Sequence, residues 1–132
     1  TLIIATNLFF GIFSFINISN DHISNEYNIK ESLLFFKKIS NDIIKNIADD
    51  ESVMVNALPY YYEYFSNKNI VQIPYYNNEK EFFDLVKKYK VRYIVYYEKL
   101  EPNIPHKIPK SKSIAKSPYT IKGGEVFEVK PI

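Results

Sequence analysis

The sequence predicts an α/β domain built on a small, mainly parallel sheet with flanking helices. Short apolar segments rich in β-branched residues alternate with amphipathic segments, and the connections between them are short. Alternation of strand, helix and strand with short connections indicates right-handed crossovers and a parallel sheet. The chain has 132 residues, of which 46% are hydrophobic and 24% charged, so it is long enough for one such domain with a buried core.

An amphipathic helix is expected before the sheet, with Asn28 as its N-cap. Its apolar residues recur at helical spacing with lysines between them, at Ile29, Leu33, Phe36, Ile43 and Ile47. An acidic turn at 49–51 precedes the first predicted strand, Val53-Met54-Val55. Pro59 ends this strand and suits the first turn of a short helix from Tyr60 to Phe65.

The second half of the parallel unit follows the same order. Ile70-Val71-Gln72-Ile73 is the second predicted strand, and Pro74 closes it. The segment from Glu79 to Lys90 predicts a helix, because one face is apolar, the first turn is acidic and the last turn carries lysines, as the helix dipole favours. Val91 to Tyr97, rich in β-branched and aromatic residues, is the third strand.

The segment from Glu98 to Tyr119 contains four prolines and several lysines, and we expect it to be a long surface loop. Its lysines are compatible with a polyanion or lipid headgroup, although a solvated loop is the ordinary explanation. Gly123-Gly124 predicts a turn into a last strand, Val126-Phe127-Glu128-Val129, which alternates in polarity.

The first residues differ in character from the rest. Leu2 to Ile16 is almost wholly apolar, and we interpret residues 1–17 as the end of a transmembrane helix and residues 18–132 as a soluble extracytoplasmic domain. As a helix the run is shorter than the ~30 Å apolar core of a bilayer, so the remaining length is expected upstream of Thr1. A signal peptide and a buried first helix of the domain are the alternatives.

The polar flank of this run indicates its orientation. Residues 17–29 contain no Lys or Arg, whereas cytoplasmic flanks are usually rich in both. Asn17-Ile18-Ser19 is in addition a glycosylation sequon, which has meaning only outside the cytoplasm. We therefore expect a protein of the cell membrane whose domain lies on the extracytoplasmic side.

Several chemistries are disfavoured by composition. Cysteine is absent, and His22 and His106 lie far apart, so no metal site is expected. The layout is Rossmann-like, but neither strand-to-helix junction contains one of the three glycines, so no dinucleotide or other cofactor is expected. The net charge of +2 gives no reason to expect nucleic acid, and no catalytic residue can be assigned.

Tyrosines follow the predicted strands where a parallel sheet binds ligands. The candidates for contact with a sugar or acceptor are Tyr60, Tyr61, Tyr62, Tyr75 and Tyr76. A tyrosine offers an aromatic face for stacking and a hydroxyl as a polar handle. The competing interpretation is that these rings fill the edge of the core or pack against a membrane domain, in a chain whose 12 tyrosines also fit an AT-rich genome.

The order of these segments is similar to a known family. Val53-Met54-Val55, Pro59 with its tyrosines, the strand ending at Pro74-Tyr75, Leu85 to Tyr89 and Val91 to Val95 follow one another. This order resembles the C-terminal extracytoplasmic domain of multi-spanning GT-C membrane glycosyltransferases, such as the dolichyl-phosphate-mannose protein mannosyltransferases.

The resemblance implies an accessory role. The parent protein would transfer a sugar from a polyprenyl-phosphate donor, and its catalytic acid would lie in a loop upstream of Thr1. This segment would then be non-catalytic and would assist acceptor binding or cap the membrane site. Its partners would be the membrane domain of the same chain and a glycan, a lipid-linked sugar or a protein acceptor. The alternative is a singly anchored extracytoplasmic binding domain with no enzymatic role.

Overall fold

The computed structural model describes residues 25–99 and 108–130. The predicted end of a transmembrane helix at 1–17, and the sequon beside it, lie outside these residues. The chain divides into two compact units at Leu34 and Phe35, and the second unit contains the sheet. Within the described ranges, no helix combines the length and the apolar character needed to cross a membrane.

Three helices and five strands make up the described chain. The helices are α1 (Asn25–Asp42), α2 (Pro59–Ser66) and α3 (Glu79–Lys88), and a 3-10 turn (Ile44–Asn46) follows α1. The strands are β1 (Ser52–Val55), β2 (Asn69–Gln72), β3 (Val91–Tyr97), β4 (Ile114–Lys116) and β5 (Gly124–Val129).

The strands form one sheet in the order β2-β1-β3-β5-β4. β1 pairs in parallel with both β2 and β3, whereas β5 runs antiparallel to β3, and β4 runs antiparallel to β5. The predicted α/β class with a mainly parallel core is therefore confirmed. The connections β1-α2-β2 and β2-α3-β3 proceed in opposite directions along the sheet, so right-handed crossovers require α2 and α3 to cover opposite faces.

The core confirms this two-faced arrangement. Val53 and Val55 of β1 pack in one cluster with side chains of α1 and α2, whereas Met54 between them packs with α3 on the other face. This alternation follows from the period of two of a β-strand. Val53, Met54 and Val55 are fully buried, which explains why this part of the strand is a continuous apolar run in the sequence.

The loop predicted from Glu98 to Tyr119 is partly wrong, because it contains the strand β4. Ile114–Lys116 has three residues, and Ile114 pairs with Val129 of β5. A strand this short, with prolines nearby, has too few apolar residues to be recognised by alternation. Pairing with β5 supplies its hydrogen bonds.

Two helix boundaries also differ from the prediction. α1 begins at Asn25, so Asn28 is inside the helix rather than its cap, and regular helix ends at Asp42. α3 ends at Lys88, because Lys90 adopts a left-handed conformation with φ of 49° that turns the chain into β3. Such a residue is the usual way to end a helix, although glycine is the common choice.

A buried amide joins the ends of β1 and β3. The Nδ2 atom of Asn56 donates to the carbonyl of Tyr97 at 2.9 Å, and the Tyr97 N–H donates to Oδ1 of Asn56 at 2.8 Å. The Asn56 N–H donates to the Val95 carbonyl at 3.3 Å. Asn56 is 1% exposed, so its side chain extends the β1–β3 ladder by one step beyond the last residue of β1.

Phe35 of α1 reaches the end of this ladder because Gly124 has no side chain. A Cβ atom at Gly124 would lie 2.7 Å from Cζ of Phe35. The Phe35 ring lies 4.7 Å from the Tyr97 ring, and the Phe36 ring lies 5.2 Å from it. Tyr97 is therefore held by the Asn56 amide through its backbone and by two phenylalanines through its ring.

Replacing Asn56 with alanine should lower the free energy of unfolding by about 2–4 kcal/mol, because the Tyr97 N–H and C=O lose their partners in a buried site. Urea unfolding measures the difference. Asn77→Ala is the matched control: the Asn77 amide bonds to Glu81 at an exposed position, so its loss should be within about 0.5 kcal/mol. Equal losses in the two variants would contradict the role of Asn56.

A second polar contact ties the end of α1 to the segment after β4 and predicts a dependence on pH. The Lys38 ammonium and then the Tyr119 hydroxyl, both hydrogen-bonded to Asp42, lower the pKa of that carboxyl from its ordinary 3.8. A lowered pKa contributes stability that is complete above the ordinary value and is lost as the pH falls through the folded-state value. Asp42→Asn should therefore lose less stability than the wild type on acidification, measured by urea unfolding at several pH values. An equal loss would contradict this role.

Candidate functional site

The carboxyl edge, where β1, β2 and β3 end, is the first candidate site, because open parallel sheets bind ligands there. α2 begins at Pro59, four residues after the end of β1. The Ile73 N–H donates to the Val55 carbonyl at 2.8 Å, which extends the pairing of β2 and places Pro74 and Tyr75 at the same edge. The tyrosines after both strands therefore leave the sheet at one edge, as predicted.

The backbone is strained where α2 begins. Leu58 has φ of 52° and ψ of 53°, a left-handed conformation that is rare for a bulky residue and more so before a proline. Such conformations cost of order 1–3 kcal/mol and persist where the surroundings hold them. Here the Leu58 carbonyl accepts from the Tyr61 N–H at 3.2 Å, and the Leu58 side chain packs against the core.

Two tyrosines of α2 project into solvent. Tyr60 is 53% exposed and Tyr64 is 69% exposed. They are four residues apart, so they lie on the same face of the helix one turn from each other. Each ring contacts the next aromatic ring in sequence, Tyr61 at 4.6 Å and Phe65 at 5.3 Å. The two tyrosines form an exposed aromatic face, which the sequence analysis found only in part because it did not include Tyr64 among the candidates.

The next two tyrosines pack toward the core, and Tyr61 is half-buried. The Tyr61 ring stacks parallel to Phe36 at 5.3 Å, and burial, followed by the influence of Tyr60, raises the pKa of its hydroxyl. Tyr62 is fully buried, and the Phe36 ring meets its edge at 4.9 Å. The hydroxyls of Ser40 and Ser66 donate to the Tyr62 carbonyl at 3.3 and 2.6 Å, which fixes the backbone at this position.

The Tyr62 hydroxyl is the one buried side-chain polar atom without a hydrogen-bond partner among the described residues. Burial, followed by the influence of Tyr97, raises its pKa, so the phenol is neutral at physiological pH. An unpaired buried hydroxyl is destabilising, whereas the ring fills the core. Tyr62 is therefore placed as a packing residue.

Of the two tyrosines after β2, one is also exposed and one buried, and the buried one packs on the face of the sheet that α3 covers. Tyr75 is 71% exposed, whereas Tyr76 is buried and its ring lies 4.9 Å from Phe82 of α3. Burial, followed by the charge of Glu79, raises the pKa of Tyr76. The five predicted residues therefore share one edge but flank it from both faces, with Tyr60 and Tyr75 available to solvent.

Open parallel sheets bind small ligands in the crevice at the carboxyl ends of two strands whose connections leave in opposite directions. In this sheet that crevice lies between β1 and β3, and side chains fill it. Asn56 spans the two strand ends, and Tyr97, 1% exposed, packs against Phe35 and Phe36. What remains for a partner at this edge is its outer surface with the exposed tyrosines.

The chain also enters the second unit at the carboxyl edge. Phe35, its first residue, packs beside Tyr97 at the end of β3. The chain then runs to the opposite end of the sheet, where the carbonyl of Ile47 and the carboxylate of Asp49 accept from Lys68 at 2.8 and 2.5 Å. The exposed tyrosines are thus at the edge to which the preceding chain is covalently attached.

The sequence analysis missed a cleft of about 400 Å³ at the amino edge, where β1, β2 and β3 begin. Residues from the starts of these strands, from α2 and from the end of α3 line it, among them Asp50, Glu63, Asn69, Lys88 and Tyr89. No sequence pattern marks this cleft, because its lining residues come from separate segments of the chain. Among the described residues, no group of three or more acidic, histidine or cysteine side chains is placed to bind a metal.

Tyr62→Phe should raise the free energy of unfolding by about 1 kcal/mol, because it removes an unpaired buried hydroxyl and keeps the ring. Tyr64→Phe is the matched control, since the Tyr64 hydroxyl is on an exposed side chain and its removal should change little. Urea unfolding of both variants is the measurement. A clear destabilisation by Tyr62→Phe alone would show that the hydroxyl has a partner and a different role.

The chain was compared with known proteins. No protein-family model matches it, and no curated protein matches it. Among solved structures it is similar to the C-terminal globular domain of an oligosaccharyltransferase from Archaeoglobus fulgidus, with 18% sequence identity and a TM-score of 0.48 over 76% of this chain and 96% of that domain. A likeness at this level carries no information about the activity of this chain.

Proposed function

We propose that this chain is an accessory domain of a multi-spanning membrane glycosyltransferase that uses a polyprenyl-phosphate sugar donor. In this proposal the domain lies on the extracytoplasmic side of the cell membrane and presents its carboxyl edge to the acceptor. The main supporting observation is that two exposed tyrosines, Tyr60 and Tyr75, lie at the edge where the chain enters the second unit, and a third, Tyr64, lies one turn further along α2.

Covalent connection supports this orientation. The apolar run from Leu2 to Ile16 precedes α1 in the sequence, and α1 delivers the chain to Phe35 at the carboxyl edge. A membrane domain upstream is therefore tethered to the edge that carries the exposed tyrosines. Exposed tyrosines suit a boundary between an apolar and an aqueous environment, because the ring is apolar and the hydroxyl is a hydrogen-bonding group.

The chemistry of the edge favours binding over catalysis. Burial raises the pKa of Tyr61 and Tyr76 above the ordinary 10.0, so these phenols stay neutral at physiological pH. Neutral tyrosines can stack on a sugar ring or a peptide group and donate a hydrogen bond. They do not supply the carboxylate that glycosyl transfer requires, which this proposal assigns to the upstream membrane part.

The buried candidates have a supporting role in this proposal. Tyr61 contacts the Tyr60 ring from the core side, and Tyr62 anchors α2 in the core. Tyr76 fixes the segment that carries Tyr75 by packing on Phe82. An acceptor, whether a glycan, a lipid-linked sugar or a protein, would meet the exposed rings, and the buried ones would hold them in place.

The second candidate is a singly anchored extracytoplasmic binding domain without an enzymatic role. The filled crevice between β1 and β3 is compatible with it, since a domain that binds through its surface has no need of a pocket. The upstream sequence separates the two, because only the transferase needs many further spans of ~20 apolar residues.

Combined replacement of Tyr60, Tyr64 and Tyr75 with alanine in the full-length protein should lower sugar transfer at least about tenfold, if each ring contributes about 0.5–1.5 kcal/mol of contact. The unfolding midpoint should change little, because all three side chains are exposed. The measurement is transfer from a polyprenyl-phosphate sugar donor to acceptor in membranes.

Tyr62→Phe is the control for this experiment. It alters a tyrosine of the same helix whose hydroxyl is in the core, so transfer should stay at the wild-type rate. Unchanged transfer in the triple variant would sink the proposal. An equal loss in the control would show that the effect comes from the packing of α2.

A further inference from the structure

The amino edge carries a concentration of positive charge. At this edge β3 and β4 begin and β5 ends, and the three strands are neighbours in the order β3, β5, β4. We call the exposed lysines beside these strand ends the lysine rim: Lys87, Lys88, Lys110, Lys112 and Lys130. They are distant in sequence and come from α3, from the segment before β4 and from the end of β5. Topology alone brings them to one edge.

Backbone contacts fix their placement. Lys112 lies in the tight turn closed by the bridge between Ser111 and Ile114. The N–H of Lys130 donates to the Ser113 carbonyl at 2.8 Å, so the end of β5 adjoins that turn. Lys88 is the last residue of α3 and precedes the start of β3 at Val91. Two strand spacings of ~4.8 Å separate β3 from β4, so the rim is a row about 10 Å wide.

Three acidic groups of the same edge pair with cations outside the rim, Glu51 accepts from the Ala48 N–H at 3.0 Å, and Glu63 lines the cleft. Asp49 pairs with Lys68 at 2.5 Å and Asp50 pairs with Lys90 at 2.9 Å, both in the half of the edge formed by β2 and β1. Glu128 pairs with Arg92 at 2.7 Å. No ion pair joins a rim lysine to an acidic residue within 25–99 or 108–130. The rim is therefore a row of positive charge that the described chain does not neutralise.

The cleft at the amino edge adjoins this row. Lys88 belongs to both, and the Tyr89 ring in the cleft lies 5.2 Å from the Lys88 ammonium. The cleft adds partly apolar walls, Ile70 and Val71 of β2, and it also holds Glu63 and the Asp50–Lys90 ion pair, so it suits an uncharged side chain of the ligand. A ligand that follows the edge would meet lysines first and then a concavity able to receive a side chain.

We infer that the lysine rim and the adjoining cleft bind an extended acidic segment of a polypeptide. A row of lysines along a sheet edge matches an extended chain, which advances ~3.3 Å per residue, better than a broad surface. Complementary charge steers association and fixes register. The exposed lysines keep their stems flexible, so they can adjust to carboxylates that are not rigidly placed.

A bilayer is a less suitable partner for the lysine rim than an acidic polypeptide. This preference rests on the proposed function. If the carboxyl edge faces the membrane, the amino edge lies beyond it by the length of β3, whose seven residues span roughly 23 Å. That distance exceeds the Debye length of ~8 Å at physiological ionic strength. The lysine rim would then face the aqueous compartment.

The test measures binding of a fluorescent octaglutamate peptide to the full-length protein in nonionic detergent by anisotropy, at low and at physiological salt. The variant K110E/K112E/K130E should bind about tenfold more weakly or worse, and wild-type binding should weaken as salt rises. The milder K110A/K112A/K130A should show a smaller loss of the same sign. Unfolding midpoints establish that both variants are folded.

The control K37E/K80E/K99E makes the same change in net charge away from the rim and should bind within about twofold of the wild type. Equal losses in the two glutamate variants, or no measurable binding by the wild type, would overturn the inference. So would binding of phosphatidylglycerol vesicles through the rim lysines without binding of the peptide. The transfer assay on the exposed tyrosines is independent, so the two proposals can fail separately.

Discussion

The pairing of the Asn56 side chain with the backbone of Tyr97 is the constraint on which the carboxyl edge depends. It joins β1 to β3 at the point where chain connections leave in opposite directions, the usual place for a ligand in such sheets. A single amide supplies both a donor and an acceptor there, and it continues the ladder after β1 has ended. The aromatic rings of Phe35 and Phe36 then close over Tyr97. Side chains thus occupy the crevice in which such a sheet usually binds a ligand.

The tyrosines of α2 are connected to this closure through Phe36. The Phe36 ring contacts Tyr61 and Tyr62 as well as Tyr97, so these two tyrosines of α2 pack against the closed end of the sheet. Tyr60 and Tyr64 project into solvent from the same helix. The strained backbone at Leu58 lies at the start of this helix and is held by packing rather than by a side-chain cap. On the other face, burial of Tyr76 leaves Tyr75 outside. Binding, as we propose it, therefore uses the outer surface of the edge.

Much of this architecture is predictable from periodicity, and the failures have physical causes. The three parallel strands and α3 are apolar on the correct faces and bounded by clear turn signals, so their order implies the α/β class. β4 is too short to show a period, and its hydrogen bonds come from a strand that follows it in the chain. Which tyrosines are exposed depends on rotation of a two-turn helix against α1, which local sequence does not determine. The lysine rim joins three separate segments, of which the first and last are more than 40 positions apart, and it becomes visible only once the strand order is known.

The most direct measurement of the central claim is amide hydrogen exchange on the full-length protein with and without a soluble acceptor analogue. The account predicts that the Tyr97 amide exchanges slowly in both states, because Asn56 and the surrounding rings protect it. It predicts new protection on binding in the segments that carry Tyr60, Tyr64 and Tyr75. Rapid exchange at Tyr97 in the free protein, or acceptor-dependent protection confined to the amino edge, would contradict a closed crevice with an outer tyrosine surface.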